Sequence, residues 1–364
     1  MSSVVKKKNI GFLMGRLAER GGISRVTSIV TQSLVNTELY EIHIFSFHPS
    51  NRDGYEWSNE IIYHDLLSDR LSMKKGIIKA SFRLRSLLRQ NDISILVSCG
   101  HLVGPLGVIS SLFKKSKLVY WSHSSFKGEK HFFKMFNEKF TSFFSDTVIT
   151  LTKSGKKDYE NNTLAKKVVQ IYNPIDNKLT SRKLSYSADS KKILSVGRIT
   201  DSKNFESLLL EVASIVLVNH KDYTWHIFGS GELEEVLKQR IIEMKLTDRV
   251  IFEGHTSNIY DVYQQHSILV MTSSFEGFPM SLLEGMANEL PLVSFDVPTG
   301  PSEIIHNSIN GFLIKPFDTE EMANKISFLI DSRKTRVNFS RNNQNFIQEF
   351  KLSNILEQWK NVLN

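Results

Sequence analysis

The sequence predicts an α/β protein built from two doubly wound domains, each with a parallel sheet. Short apolar runs rich in β-branched residues alternate with helical patterns along the chain, and strands that alternate with helices form parallel sheets. The length of 364 residues exceeds what one hydrophobic core usually organises. A polar segment at residues 173–190 divides the series in two, and we therefore expect two domains joined there.

The strand-like runs define the two domains in order. The first series is NIGFLM, IHIFSF, ISILVS, KLVYWS, TVITL and VVQIY, and the second is KILSV, TWHIFG, RVIFEG, ILVMTS and PLVSFD. We place the first domain at residues 1–172, the linker at 173–190, the second domain at 191–344 and a last helix at 345–364. That helix carries a broad apolar stripe, which includes Phe350 and Trp359, and it must pack on another element.

Charge is distributed unevenly between the two domains. The whole chain has a net charge of +8, but residues 1–172 hold 26 lysines and arginines against 14 acids, a net charge of +12, and the remainder has −4. A basic domain indicates an anionic partner, either nucleic acid or a phospholipid surface. General overuse of lysine explains the charge equally well. No recognised nucleic-acid motif is present, so we expect contact with an anionic membrane and no nucleic-acid partner.

The cysteine content and the N-terminus bear on the compartment. The single cysteine, Cys99, cannot form an internal disulfide and suits a reducing cytoplasm. The N-terminal MSSVVKKKN lacks the layout of a signal peptide. We expect a cytoplasmic protein held peripherally at the inner face of the cell membrane.

Two features of the first domain follow predicted strands. Gly21 and Gly22 precede a predicted helix, where backbone N–H groups can approach a phosphate, although paired glycines also form ordinary turns. The absence of G-x-G-x-x-G and of G-x-x-x-x-G-K-[ST] disfavours nicotinamide cofactors and Walker-type ATPases. His123 follows the strand KLVYW and is placed to donate a hydrogen bond to a polar ligand. The alternative is a surface-loop histidine.

Two strand-to-helix connections in the second domain suit a diphosphate. After KILSV come Gly197, Arg198 and Lys203, just before a predicted helix. Arginine can bind two oxygens at once and lysine adds a compact charge, although either cation alone is more often a solvated surface residue. Gly229 and Gly231 follow the next strand before another helix, which repeats a geometry favourable to phosphate binding.

The segment FEGFPMSLLEG combines a helix start with two acids. Pro279 suits the first position of a helix, so the N–H groups that follow are expected to point toward an anion. Those groups belong to Met280, Ser281, Leu282 and Leu283. Glu284 lies about one turn further and is suited to accept both hydroxyl protons of a ribose. Glu276, before the helix, is expected to face the group beyond the distal phosphate.

These motifs together resemble family 4 of the retaining GT-B glycosyltransferases. The resemblance covers nearly the whole chain and runs through GGISR, the histidine at 123, IYNPID, SVGRITDSKNF, FGSGEL and EGFPMSLLEGMANELPLVSFDVPTGPSEIIHNSINGFLI. Glu276 and Glu284 match the family's E-x7-E element. One departure is Pro279, where many members carry glycine, which we expect to stiffen the loop without abolishing activity.

The resemblance implies a fold, a reaction and roles for residues. It implies two Rossmann-like domains facing across a cleft, with a C-terminal helix that crosses back to the first domain. It implies that Arg198 and Lys203 hold the donor's diphosphate, that His123 contacts the donor sugar, and that no metal or other cofactor is needed. Glu276 is assigned to positioning the sugar, because a front-face reaction requires no protein nucleophile.

The implied activity is transfer of a hexose or N-acetylhexosamine, with retention, from a nucleotide sugar to a glycan acceptor. On family grounds the base is uridine, the acceptor is lipid-linked, and the product is a bacterial surface polysaccharide such as a capsule, or a glycoconjugate. Two alternatives stay open: a sugar-nucleotide epimerase of the same architecture, and a non-catalytic protein that binds nucleotide sugars.

Residues 126–145 have the most unusual composition in the chain. Phenylalanines at 132, 133, 136, 140, 143 and 144 recur at helical spacing, and Lys127, Lys130 and Lys134 fall on another face. One interpretation is an interfacial helix at the membrane. The other is a core helix with packed phenylalanines and solvated lysines.

Overall fold

The computed structural model describes residues 7–17, 21–49, 55–112, 115–124, 132–180, 186–256 and 258–364. The chain divides into two compact units, one of Met1–Pro174 with Leu352–Asn364 and the other of Ile175–Lys351. Each unit contains a parallel sheet with helices, which confirms the predicted fold class.

The first unit contains a seven-stranded sheet within its described residues, in the order β3-β2-β1-β4-β5-β6-β7. The strands are β1 (Lys8–Met14), β2 (Tyr40–Ser46), β3 (Ile62–Asp65), β4 (Ile95–Cys99), β5 (Lys117–Trp121), β6 (Thr147–Thr150) and β7 (Val168–Gln170). The helices are α1 (Gly22–Val35), α2 (Met73–Gln90), α3 (Gly104–Ser111), α4 (Phe132–Phe144) and α5 (Lys153–Asn162).

The second unit contains a six-stranded sheet in its described part, in the order β10-β9-β8-β11-β12-β13. The strands are β8 (Lys192–Val196), β9 (Thr224–Phe228), β10 (Val250–Gly254), β11 (Ile268–Met271), β12 (Leu292–Phe295) and β13 (Gly311–Ile314). The helices are α6 (Asn177–Thr180), α7 (Leu210–Asn219), α8 (Glu234–Glu243), α9 (Ile259–Gln264), α10 (Met280–Ala287), α11 (Pro301–Ile304), α12 (Thr319–Asp331) and α13 (Arg333–Phe346), and a π-helical turn at Phe205–Leu209 precedes α7.

The strands missing from the sequence prediction are edge strands. All eleven predicted runs form strands, but β3 and β13, at the edges of their sheets, were not predicted. Each has four residues, and β3 is half-buried to exposed along its whole length. Edge strands are covered less completely than central ones, and β3 lacks the continuous apolar run that marks a buried parallel strand. Strand β13, with the sequence GFLI, is mostly buried and carries a short apolar run, so its edge position does not explain why it was not predicted.

Strand order reverses once in each sheet. In the first unit the chain builds outward from β1 to β3 and then returns to place β4 on the other side of β1; in the second unit β11 is placed beside β8 in the same way. The connections that leave neighbouring strands at such a point diverge, which opens a crevice at the carboxyl ends of the strands. Ligand-binding residues are therefore expected after β1 and β4, and after β8 and β11.

The predicted last helix at 345–364 is wrong as one continuous element. After α13 the chain forms a 3₁₀ turn at Ile347–Phe350, becomes extended at Lys351, and then forms α14 (Leu352–Leu363). The backbone N–H of Ile175 donates to the carbonyl of Phe350 at 2.9 Å. The apolar stripe is thus divided, and only its α14 part belongs to the first unit.

Helix α14 is held in the first unit by a buried aromatic cluster. The indole of Trp359 is fully buried, with its ring 4.6 Å from that of Trp121 and 6.0 Å from that of Phe12, measured between centroids. The Lys8 ammonium donates to the carbonyl of Leu363 at 2.7 Å. The chain therefore returns to its first unit after completing the second, as the resemblance implied.

The described end of the predicted linker is tied to the second unit. The hydroxyl of Tyr186 donates to the carbonyl of Ser267 at 2.7 Å, and the buried guanidinium of Arg336 donates to the carbonyl of Ala188 at 2.8 Å. Across the described residues, no helix has both the length and the hydropathy needed to span a membrane.

Replacing Trp359 with alanine is expected to lower the free energy of unfolding of the first unit by about 3–5 kcal/mol, because it leaves a cavity between two other buried rings. Asn361→Ala, an exposed change on the same helix, is the control and is expected to cost below about 0.5 kcal/mol. Urea unfolding measures both. Equal stability of the two variants contradicts the anchoring role of Trp359.

Candidate active site

The connection after β8 is fixed against the end of β11. The amide of Asn204 donates to the carbonyl of Thr272 at 3.0 Å, and the hydroxyl of Thr272 donates to the carbonyl of Lys203 at 2.9 Å. Asn204 adopts a left-handed conformation, with φ of 53°, which asparagine tolerates better than most residues. The two loops at the reversal point of the second sheet are thus joined.

Lys203 and Glu276 form an ion pair at this junction. The ammonium of Lys203 contacts Oε1 of Glu276, and their side chains are only 19% and 11% exposed. The Glu276 carbonyl accepts a hydrogen bond from the hydroxyl of Thr299 at 2.6 Å, which fixes the loop before α10. The structure therefore brings together two predicted site residues that are 73 positions apart in the sequence.

Two further predicted residues flank this pair. Arg198 is exposed in the same loop. A Cβ built on Gly197 would lie 3.3 Å from Cζ of Phe205 and 3.4 Å from Cε of Lys203, so the backbone at 197 passes close to the lysine stem. The cations are thus arranged differently, with Lys203 enclosed and Arg198 open to solvent.

The structure gives Gly229 and Gly231 a role other than the predicted one. Their N–H groups are already bonded, that of Gly229 to the carbonyl of Gly254 and that of Gly231 to the carboxylate of Glu234, each at 2.9 Å. A Cβ at either position would lie within 2.2 Å of a carbonyl oxygen in the loop after β8. These glycines permit close approach of two loops and do not offer amides to an anion.

The start of α10 corrects another prediction. Pro279 precedes the first helical residue, Met280, and the N–H groups of Leu282 and Leu283 donate to the Pro279 carbonyl at 3.1 and 3.2 Å. These two amides therefore close the first turn, and both leucine side chains are fully buried. Among the residues predicted to face an anion, Ser281 lies in the first turn of α10 and is half-buried.

Glu284 is buried and anchored by a residue that the sequence analysis missed. The hydroxyl of Tyr263, on α9, donates to Oε2 of Glu284 at 2.9 Å, and both residues are buried. A tyrosine within an apolar helix pattern resembles a core residue, so the sequence carries no signal for this contact. The bond fixes the direction of one carboxylate oxygen.

The remaining predicted residues, Gly22 and His123, belong to the first unit. Gly22 begins α1, and a Cβ built on Gly21 or Gly22 would meet no described atom within 4 Å. Neither glycine has a positive φ. Among the described residues, neither packing nor backbone conformation requires a glycine at either position.

The His123 residue is half-buried, but its Nε2 is buried without a hydrogen-bond partner among the described residues. Its ring lies 4.4 Å from that of Trp121. Burial lowers the pKa of His123 to about 3, so the imidazole is neutral near pH 7. Within the described ranges, no group of three or more His, Cys, Asp or Glu is placed to hold a metal ion.

Two protein-family models match the chain. A family model described as "Glycosyl transferases group 1" matches residues 176–346, and one described as "Glycosyltransferase Family 4" matches residues 20–179. The chain belongs to the glycosyltransferases. The two models together match residues 20–346 of this glycosyltransferase, which include all of its predicted site residues.

Relatives and solved structures resemble this glycosyltransferase over its full length. An uncharacterized glycosyltransferase of Haemophilus influenzae is 26% identical over 98% of this chain and 100% of its own. A Campylobacter jejuni α-1,4-N-acetyl-D-galactosaminyltransferase, whose named acceptor is a PP-undecaprenol-linked glycan, is 23% identical over 97% and 98%. The crystal structure of a Staphylococcus aureus TarM variant with fondaparinux, α-GlcNAc-glycerol and UDP superposes with a TM-score of 0.84, at 16% identity, over 98% and 100%.

A double-mutant cycle with Lys203→Met and Glu276→Gln is expected to give a coupling energy of about 1–3 kcal/mol in urea unfolding, because each single change leaves a largely buried partner uncompensated. The exposed pair Arg240–Glu243, at 3.0 Å in the same unit, is the control, with an expected coupling below about 0.5 kcal/mol. Equal coupling in both cycles contradicts the enclosed character of the Lys203 pair.

His123 is expected to stay neutral from pH 8 to pH 5 in the native protein, because its pKa is lowered to about 3. In the unfolded chain the same group takes up a proton near pH 6.5, so at this residue acidification through that pH favours unfolding. Histidine NMR titration, with assignment by His123→Gln, tests this in buffer and in urea. A native resonance that titrates near pH 6.5 contradicts it.

Proposed function

We propose that this glycosyltransferase moves a hexose or N-acetylhexosamine, with retention at the anomeric carbon, from a nucleotide sugar to a lipid-linked glycan. Uridine is the preferred base. The observation that carries the proposal is the placement of a lysine, an arginine and two carboxylates around the reversal point of the second sheet. No metal or other cofactor takes part in the proposed reaction.

The diphosphate of the donor binds Lys203 and Arg198. Lys203 has three N–H donors, so it can keep its contact with Glu276 and still donate to a phosphate oxygen. Arg198, exposed in the same loop, adds a planar group that can bind two oxygens. Both cations stabilise the negative charge that grows on the diphosphate as the glycosidic bond breaks.

Glu276 and Glu284 act on opposite sides of that diphosphate. Glu284, held through one oxygen by Tyr263, accepts hydrogen bonds from the ribose hydroxyls. Glu276 orients Lys203 and positions the sugar. The bond between the anomeric carbon and the diphosphate oxygen breaks with its electron pair on that oxygen; the acceptor oxygen bonds to the same carbon from the same face, and the acceptor proton passes to the leaving diphosphate.

The first unit supplies the acceptor side of the reaction. In the same unit, neutral His123 can donate to an oxygen of the donor sugar, and the Gly21–Gly22 turn at the start of α1 is suited to a phosphate. The lipid-linked acceptor is supported by the Campylobacter jejuni relative, which is named for a PP-undecaprenol-linked acceptor. Such an acceptor places the reaction at the cytoplasmic face of a membrane, in synthesis of a bacterial capsule, another surface polysaccharide or a glycoconjugate.

Substitutions at the two acids are expected to separate donor binding from transfer. Glu284→Ala is expected to weaken the binding of UDP about 10- to 100-fold, and Tyr263→Phe about 3- to 10-fold, because the ribose contacts are lost or loosened. Glu276→Gln is expected to change the Kd for UDP less than about threefold while lowering kcat at least about 100-fold. Calorimetric titration and nucleotide release with a panel of acceptors measure these effects.

Tyr186→Phe is the matched control for Tyr263→Phe, since the Tyr186 hydroxyl also donates a hydrogen bond within the second unit, to the carbonyl of Ser267, but is not assigned to the site. A thermal-shift screen with UDP, GDP and their sugars identifies the base. Conversion of the donor sugar without any acceptor points instead to an epimerase, and binding without turnover points to a binding protein. Unchanged UDP affinity in Glu284→Ala contradicts the ribose assignment.

A further inference from the structure

Helix α2 of the first unit presents a cationic face with large apolar side chains. Ile78 and Phe82 are 71% and 72% exposed, and Lys75 and Lys79 are exposed beside them. The spacing of three and four residues places all four on one side of the helix. Apolar side chains set among lysines on an exposed helix face are typical of a helix that lies in a membrane interface.

The charge of α2 is of one sign. Between Met73 and Gln90 the helix carries six lysines and arginines and no acidic residue. Arg85 is used within the protein, since its guanidinium donates to the carbonyl of Leu112 at 2.7 Å. The other five cations are exposed, so the helix attracts an anionic surface rather than pairing with acids of its own.

Helix α4 is turned with its phenylalanines outward. Phe132, Phe133 and Phe136 are 71%, 74% and 56% exposed, and Phe143 and Phe144 are exposed as well; the buried residues of the helix are Glu138, Thr141 and Ser142. The interpretation of α4 as a core helix with packed phenylalanines is therefore wrong. Of its six phenylalanines, only Phe140 is half-buried and packs against the core.

A buried polar cluster explains this orientation of α4. The hydroxyls of Tyr120 and Tyr159 both donate to Oε2 of Glu138, and the Ser122 hydroxyl lies 2.6 Å from that of Tyr159. Burial raises the pKa of Glu138, an effect that Lys134 opposes. These bonds hold the polar face of α4 inside the unit. Lys134 therefore acts on the buried Glu138, on the inner side of α4. Lys127 and Lys130 lie outside the described residues.

The outer faces of α2 and α4 are neighbours. Both helices pack with α3, and Leu84, Leu106 and Phe140, one from each helix, contribute to one apolar cluster. At the N-terminal ends of α2 and α4 the ammonium of Lys74 lies 5.7 Å from the ring centroid of Phe133. Ile109 and Leu112 on the α3 side are also exposed.

We propose that these outer faces form a single docking surface for an anionic phospholipid bilayer. The lysines and arginines of α2 meet the lipid headgroups, and Ile78, Phe82 and the phenylalanines of α4 enter the boundary with the acyl chains. The bilayer fits better than nucleic acid, because the exposed side chains between the cations include aliphatic ones. It fits better than a second copy, because two such faces repel each other.

This surface holds the enzyme at the membrane that contains the proposed lipid-linked acceptor. That role rests on the proposed function. The full-length protein is sedimented with vesicles of phosphatidylglycerol and phosphatidylcholine, or of phosphatidylcholine alone, at about 0.05 M and about 0.5 M NaCl. No sugar nucleotide or acceptor is present, so failure to bind vesicles and failure to transfer sugar are separate results.

Lys75→Gln with Lys79→Gln is expected to weaken binding to the anionic vesicles about 20- to 30-fold. Ile78→Ser with Phe82→Ser, and Phe132→Ser with Phe133→Ser, are each expected to weaken it about tenfold or more, because apolar burial is lost. High salt is expected to weaken binding of the native chain sharply. The thermal shift with UDP and the circular dichroism spectrum of each variant are expected to match those of the native chain.

Matched controls lie in the second unit. Lys221→Gln with Lys334→Gln makes the same change in net charge, and Val218→Ser with Ile242→Ser removes exposed apolar side chains; both pairs are expected to keep binding within about twofold. Equal binding to both vesicle types, equal loss in the control pairs, or an absence of vesicle binding overturns the proposal. The proposal is also overturned if the protein binds nucleic acid or self-associates without binding vesicles, and the double substitutions in α2 abolish that binding or self-association.

Discussion

The reversal of strand order beside β8 is the constraint on which the candidate site depends. In a parallel sheet every strand is left at the same edge, so the connections gather there. The connections that follow β8 and β11 carry Lys203 and Glu276, and these two residues form an ion pair. Asn204 and Thr272 join those loops through two hydrogen bonds. Topology brings the segments together, and these bonds fix their spacing.

The charges at this junction are arranged before any ligand arrives. Lys203 is held by Glu276 in a largely enclosed position, and Glu284 is held by Tyr263. A cation kept in place by protein groups needs little reorganisation when negative charge develops on a leaving group, which is the main source of electrostatic catalysis. Removing these ions from water has a cost, and the ion pair and the tyrosine hydroxyl offset it.

Helix α4 of the first unit reverses the usual relation between hydrophobicity and burial. In α4 the carboxylate of Glu138 lies inside with two tyrosine hydroxyls, while phenylalanines lie outside. Exposed apolar groups on this scale mark an interaction surface. Neighbouring α2 adds cations without acids. The same unit is also the basic part of the chain, and its charge is concentrated where apolar side chains are exposed, which distinguishes it from a uniformly basic surface.

Much of the architecture follows from local pattern. The alternation of apolar runs and helical segments determined two parallel sheets, and eleven runs became strands, because buried parallel strands are continuously apolar. The motifs also determined that Lys203 and Glu276 lie in connections after strands and that Glu284 lies on the helix that follows Glu276. Edge strand β3 lacks an apolar run and was beyond that pattern, whereas β13 carries a short buried run and was nevertheless not predicted.

Tertiary structure alone decided the contacts between distant segments: the Tyr263 bond to Glu284, the division of the last helical stripe at Lys351, and the close approach that requires Gly229 and Gly231. It also decided which face of α4 is buried. Periodicity shows that a helix has two faces, but their orientation depends on partners supplied by other strands, here Tyr120 on β5.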